Sequence, residues 1–185
     1  MKMLFYNFKG WLFVFFLMLS LHAQAATIAV TNGNDAGAGS LRQAIADAVA
    51  GDDISFSGVT IVTLTSAELV INKNLTINGG TGVTITRSGT TEFRIFKISG
   101  AATTVVFNKL SITNGKQASQ AGGVENNGIL TLNDCIIANN ESPQGGGIQN
   151  NLTLTMNRCF VYNNSAPSQG SGLMIYGSMT TLNNS

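Results

Sequence analysis

Gly123-Val124-Glu125-Asn126-Asn127 recurs as Gly147-Ile148-Gln149-Asn150-Asn151, and the correspondence continues downstream. Leu130 and Leu132 match Leu154 and Met156, Cys135 matches Cys159, Ile137 matches Val161, and Asn139-Asn140 match Asn163-Asn164. Every one of these pairs is 24 positions apart. A step of 25 carries Val105, Phe107, Leu110, Ile112 and Asn114 onto Leu130, Leu132, Cys135, Ile137 and Asn139. The same step carries Gly147, Ile148 and Leu154 onto Gly172, Leu173 and Met179. A near-constant step over four units specifies a repeat architecture, in which each unit buries its apolar face only against its neighbours.

Inside a unit the local period is two, as in Ile129-Leu130-Thr131-Leu132 and Cys135-Ile136-Ile137. That alternation predicts short, half-buried strands, and the Asn, Gly, Pro and Ser between them supply tight and left-handed turns. Three strands and three turns fill 24 residues, whereas a helical pair needs longer runs at period 3.6. The expected fold is all-β, a right-handed parallel β-helix with one coil per unit and equivalent strands about 4.8 Å apart. Leu110, Cys135, Cys159 and Ser185 then form one inward column, and Ile112, Ile137 and Val161 the next. Asn114, Asn139 and Asn163 are expected at a turn, with their amides stacked along the axis. Cys135 and Cys159 come within disulfide range on adjacent coils, but both project the same way, which suits packed thiols better than a bond.

Three segments are expected. Residues 1–25 read as a secretory signal: Lys2 and Lys9 precede an apolar run at 11–21, and Ala23-Gln24-Ala25 has the small-x-small pattern of a cleavage site. The run is too short to anchor in a bilayer. Cleavage would leave a chain starting at about Ala26, without His22, and with nearly balanced charge. Such a surface lacks the basic footprint of a nucleic-acid binder. Residues 26–53 read as an N-terminal cap, with a strand over Thr27–Val30 and a helix opened by a Ser40/Gln43 capping box. Leu41, Ala44, Ile45, Ala48 and Val49 form its apolar stripe, and Gly51 ends it. Residues 54–185 supply the coils. No second cap is read near Ser185, so the chain is expected to be a fragment of a longer surface protein, or to dock another chain on its raw edge.

Carbohydrate-cleaving enzymes need clustered carboxylates for Ca²⁺ or for acid–base work. Asp52-Asp53 is the only adjacent acidic pair and reads as solvated, while Glu125, Asp134 and Glu141 project onto Gln149, Arg158 and Ser165 one coil on. The expectation is therefore a non-enzymatic protein with no catalytic, cofactor-binding or metal-binding residues. A polysaccharide lyase or glycoside hydrolase is the alternative. A further alternative is an ice-binding face built from Thr131, Thr153, Thr155, Ser178 and Thr180, although Val106 and Ile129 interrupt it.

"VTNGNDAGAGSLRQAIADAVAGDDISF", residues 30–56, resembles the leader of secreted bacterial β-helix proteins, in which a G-S-L-R-x-A-I helix precedes the first coil. Gly145-Gly146-Gly147-Ile148 and the F-x-x-N of Phe160 and Asn163 are similar to the repeats of polymorphic outer-membrane proteins. The resemblance covers most of the chain after residue 25. It implies a secreted or cell-surface protein, adhesin-like or an autotransporter passenger, with surface glycans or proteins of host or neighbouring cells as partners. Binding would then involve the outward strand faces and the loops at 116–121 and 165–171.

Overall fold

The structure, a computed structural model, describes residues 25–177 and 179–185. Residues 1–24 of the expected signal and Ser178 of the threonine face lie outside it. Parallel strands wind into a β-solenoid of about six turns, as the repeat requires, with a single short helix among the described residues. Each complete coil carries three strands, such as Val124–Asn126, Ile129–Asn133 and Ile136–Ala138, and each pairs in parallel with its equivalent in the next coil. The stacked strands make three faces. Face one runs from Thr27–Val30 through Ile129–Asn133 to Met179–Asn183, face two contains Ile136–Ala138 and Phe160–Tyr162, and face three contains Val124–Asn126 and Ile148–Asn150.

The inward columns form as the alternation demands. Val105, Leu130 and Leu154 are in register, as are Phe107, Leu132 and Met156, and all are buried. Phe96 and Phe107 pack against each other in the core, their ring centroids 4.7 Å apart. Leu110, Cys135 and Cys159 are buried at equivalent sites just before the paired Ser111, Ile136 and Phe160. Both cysteines are free thiols, and their Sγ atoms donate to the carbonyls of Asn133 (3.3 Å) and Leu132 (3.4 Å) respectively. A shared hydrogen bond with Cys159, together with burial, pushes the Cys135 thiol up.

The asparagines do more than was expected of them, and in different places. Asn114, Asn139 and Asn163 do sit at one corner, with φ of 59°, 57° and 52°, but they are exposed there and form no amide stack. The left-handed conformation turns their side chains outward. The ladders belong to other asparagines. Asn108 donates to Asn78, Asn133 to Asn108, Asn157 to Asn133 and Asn183 to Asn157, across sequence gaps of 30, 25, 24 and 26 residues. At the corner between faces three and one, the fully buried Asn126 donates to Asn150 Oδ1 (2.7 Å) and Thr153 O (2.8 Å), and accepts from Gly128 N (3.0 Å). Between faces two and three, Asn140 donates to Asn164 Oδ1 and Ile112 O, both at 3.0 Å, and accepts from Gly115 N.

The last coil corrects one register. Ile148 pairs with Leu173 as expected, but Met179 pairs with Thr153, and Leu154 pairs with Thr180. One additional residue between Ile175 and Met179 shifts the strand. Thr180 therefore takes an inward position and accepts from Asn150 Nδ2 (3.0 Å) instead of joining an outward threonine face. On that face Thr131, Thr155 and Thr181 do align, with Val106 before them.

The cap forms with several departures, and its helix ends at Asp47 with Ala48 as C-cap, before the expected Gly51. Ser40 caps the helix Leu41–Asp47 by accepting from Gln43 N (3.2 Å), but Gln43 Nε2 donates forward to Asp47 Oδ1 (2.7 Å) instead of closing the box. Leu41, Ala44, Ile45 and Ala48 are buried, whereas Val49 is exposed because the helix has already ended. Lys73 closes its C-terminus by donating to the carbonyls of Ile45, Ala46 and Ala48. Arg42 ties the helix outward to Asp35 (2.6 Å) and to the carbonyls of Ala67 and Glu68. Asp52 is not solvated: it is 3% exposed and accepts from Ala26 N and Val49 N, both at 2.9 Å.

Two outcomes are expected. Asn126→Ala strands the Gly128 amide in the interior and removes a donor from Asn150 Oδ1 and Thr153 O, so urea unfolding should show a loss of about 1–3 kcal/mol. Burial raises the Asp35 carboxyl, but hydrogen bonds from Ser66, Arg42 and Thr65 outweigh it and hold it at about 2. A group depressed on folding stabilises above its unfolded value, so that contribution should be complete above pH ~4 and disappear towards pH ~2. Asp35→Asn should flatten the acid limb of an unfolding titration.

Candidate functional site

After Asn114, Asn139 and Asn163 the chain leaves face two and crosses to face three through the turns at 115–121, 140–146 and 165–171. These turns stack as closely as the strands do. Lys116 bridges to Glu141 and Glu141 to Ser165, and further along Gln144 bridges to Gln169. Gln117 N donates to Glu141 O (3.0 Å), Ala121 N to Gln144 O (2.9 Å), and Gly145 N to Gln169 O (3.0 Å). The two loops singled out by sequence thus belong to one continuous ledge.

Glycine makes the close stacking possible. A Cβ on Gly122 would lie 2.5 Å from Glu141 O, and one on Gly146 would lie 2.4 Å from Ser165 O. This is the physical content of the recurring Gly-Gly pair: backbone meets backbone of the next coil with no room for a side chain. Just before these pairs, and before Ser171-Gly172 at the equivalent place, Ala121, Gly145 and Gly170 take φ of 54°, 63° and 62°.

The ledge presents mostly neutral polar groups. The Tyr176 hydroxyl donates to Gln144 Oε1 (3.2 Å) with its ring exposed, and Gln169 is open to solvent. Lys116 lies between Glu92 (3.2 Å) and Glu141 (3.4 Å), whose hydrogen bonds raise its pKa, so its charge is locally balanced.

Beside the ledge, the outer surface of face three carries a charge cluster that the sequence reading missed. Arg94, 7% exposed, reaches Glu68 Oε2 through Nε (2.8 Å) and Glu125 through Nη1. Lys97 Nζ stands 3.7 Å from the same Glu125 oxygen. Lys97, Glu125 and Gln149 are register neighbours, and Gln149 donates to Gln120 of the ledge (3.1 Å). Burial lowers the pKa of Arg94, and Glu68 offsets only part of that lowering. The only signal in the sequence was an arginine between Phe93 and Ile95 in an apolar run.

Glu68 and Glu125 therefore do converge, but both are counter-ions of one guanidinium. Asp134 and Arg158 pair as expected, with contacts of 2.7 and 2.8 Å on the exposed corner. A recess lined by Arg42, Glu68, Val70 and Lys73 separates helix from face three, and its two cations are already engaged by carbonyls and Asp35. Among the described residues no group of three or more His, Cys, Asp or Glu side chains is placed to hold a metal. Nor is any helix there long and apolar enough to cross a membrane.

Comparisons with protein-family models, curated proteins and solved structures give no match to this chain.

Arg94→Met leaves two half-buried carboxylates without their shared cation and should cost about 1–3 kcal/mol in urea unfolding. Adding Glu68→Gln and Glu125→Gln should recover a large part of that loss, which marks the cluster as a charge-balanced strut of the fold.

Proposed function

We propose that this chain is an exported, adhesin-like β-helix of the cell surface or extracellular space, similar to polymorphic outer-membrane protein repeats, which binds surface glycans. The reading draws support from one observation above the rest: three successive turns stack into a single ledge whose accessible groups, beside the paired Lys116 and Glu141, are mainly amides and a tyrosine. Neutral donors and acceptors beside an exposed aromatic ring match the hydroxyl edges and apolar faces of sugars. A rigid backbone ladder holds them at the coil spacing, so recognition costs little ordering. Proteins of a neighbouring surface are the other class of partner that such a ledge could engage. The Arg94 cluster supports the ledge from below, with its carboxylates engaged as counter-ions instead of serving as acid and base.

Whole-cell adhesion and glycan-array binding should both fall at least about tenfold in Tyr176→Ala and in Gln144→Ala, with the unfolding midpoint little changed. Unaltered binding in both variants would remove the ledge from consideration. Cleavage of pectin-like or other polysaccharides by the wild-type protein would replace this reading with an enzymatic one.

A further inference from the structure

Asp52 is a carboxylate buried at the joint between cap and first coil. Its Oδ2 accepts from Val49 N and its Oδ1 from Ala26 N, both at 2.9 Å. The charged groups around it are Lys73, whose Nζ is taken up by the carbonyls of Ile45, Ala46 and Ala48, and its neighbour Asp53. Among the described residues no cation forms an ion pair with Asp52. A buried carboxylate served only by two neutral amides is an expensive arrangement.

Among the described residues, Ala26 is also the first whose backbone joins the fold. Its carbonyl accepts from Asp53 N (2.8 Å), and Thr27 opens the first strand pairing. The preceding residues, Ala23-Gln24-Ala25, are the small-x-small pattern that an export peptidase cleaves after. The first anchored nitrogen and the expected cut coincide.

We propose that hydrolysis of the Ala25–Ala26 bond creates the missing counter-ion: the α-ammonium of Ala26 becomes the ion-pair partner of Asp52 and locks the cap onto the first coil. Water adds across the peptide bond under an export-linked peptidase, Ala25 departs with the new carboxylate, and Ala26 keeps the nitrogen, protonated. The nitrogen already lies at charge-assisted hydrogen-bond distance, so no rearrangement is needed. Residues 1–25 thereby have a second role, masking an amine whose release finishes the fold. This rests on the exported reading above.

The sign of the pH dependence follows. An ammonium facing a carboxylate titrates above its ordinary value of about 7.7–8.0, so its contribution is complete below that and lost as pH rises through the raised value. Hydrogen bonds from Val49 and Ala26 lower Asp52, so the carboxylate's contribution is present above the ordinary aspartate range and lost as pH falls through the lowered value.

The full 185-residue chain should be produced in a secreting bacterial host, and the exported product analysed by intact mass and by NMR titration of its isotopically methylated α-amine. The expected product begins at Ala26, and its amine titrates at least one unit above about 8, a shift abolished by Asp52→Asn. Should Asp52→Asn fail to fold, the wild-type titration alone decides. A product starting at another residue, or an Ala26 amine titrating at about 8, overturns the clamp while leaving export intact. Retention of the uncleaved chain inside the cell overturns both.

Discussion

Parallel backbone pairing between successive coils is the interaction from which the rest of this structure follows. A strand here has no hairpin partner nearby in sequence, so its amides and carbonyls are satisfied only by the coils before and after it. Register must then hold at every corner, and each position along a coil becomes a column of like environments. Aliphatic columns tolerate exchange of Phe107 for Leu132 or Met156 because the interior has lateral freedom. Amide columns tolerate much less, because each asparagine must both donate and accept along the axis. The outward ladder from Asn78 to Asn183 stays continuous although its sequence gaps range from 24 to 30 residues. Length differences are absorbed in turns, as in the irregularity between Asn78 and Val83, and the strands are left in line.

Corners are where this economy is strained. Lys109, Asp134, Arg158 and Asn184 all take φ between 52° and 54° at one corner. A left-handed residue with a Cβ costs roughly 1–2 kcal/mol, and lysine and arginine have no local hydrogen bond to soften it. The Arg158–Asp134 pair across two such corners shows that these side chains, thrown outward by the backbone, can at least meet each other. Glycine appears instead where backbones touch, at Gly122, Gly123, Gly146 and Gly147.

That division explains what was legible in the sequence. Period-two runs and the 24–25-residue step were enough to place the inward columns, because burial in a stacked coil depends only on parity and position. The asparagines were harder. In Asn139-Asn140 the first residue takes the left-handed corner and points to solvent, while the second turns inward and bonds Asn164 and Ile112. Both roles favour the same residue type, and only the backbone conformation separates them. The capping helix was visible from its stripe, but not the ends of Arg42 and Lys73, whose carbonyl partners lie 25–28 residues away. The Arg94 cluster was invisible for the same reason: Glu68 and Glu125 reach it from separate coils, and no local spacing announces the meeting.

Scarcity of charge ties these observations to the ledge. Arg42, Arg94, Lys73 and Arg158 are each spent on joining one coil or the cap to another, and Asp35, Glu68, Glu125 and Asp134 serve as their acidic partners. Apart from the paired Lys116 and Glu141, what remains on the stacked turns is neutral and hydrogen-bonding, a surface that steers little. Any affinity it has must come from many weak, regularly spaced contacts, which a solenoid multiplies by adding coils. Such a surface depends on the coils keeping their spacing under load. The N-terminal coils are the better secured, with the cap helix, Lys73 and Asp52 fastening them, whereas Leu173 and Leu182 of the last described coil line an open recess. In a nearest-neighbour stack, stability passes along the axis from the fastened end. The middle turns of the ledge, at 140–146, have a coil on either side and are therefore the part best held for recognition.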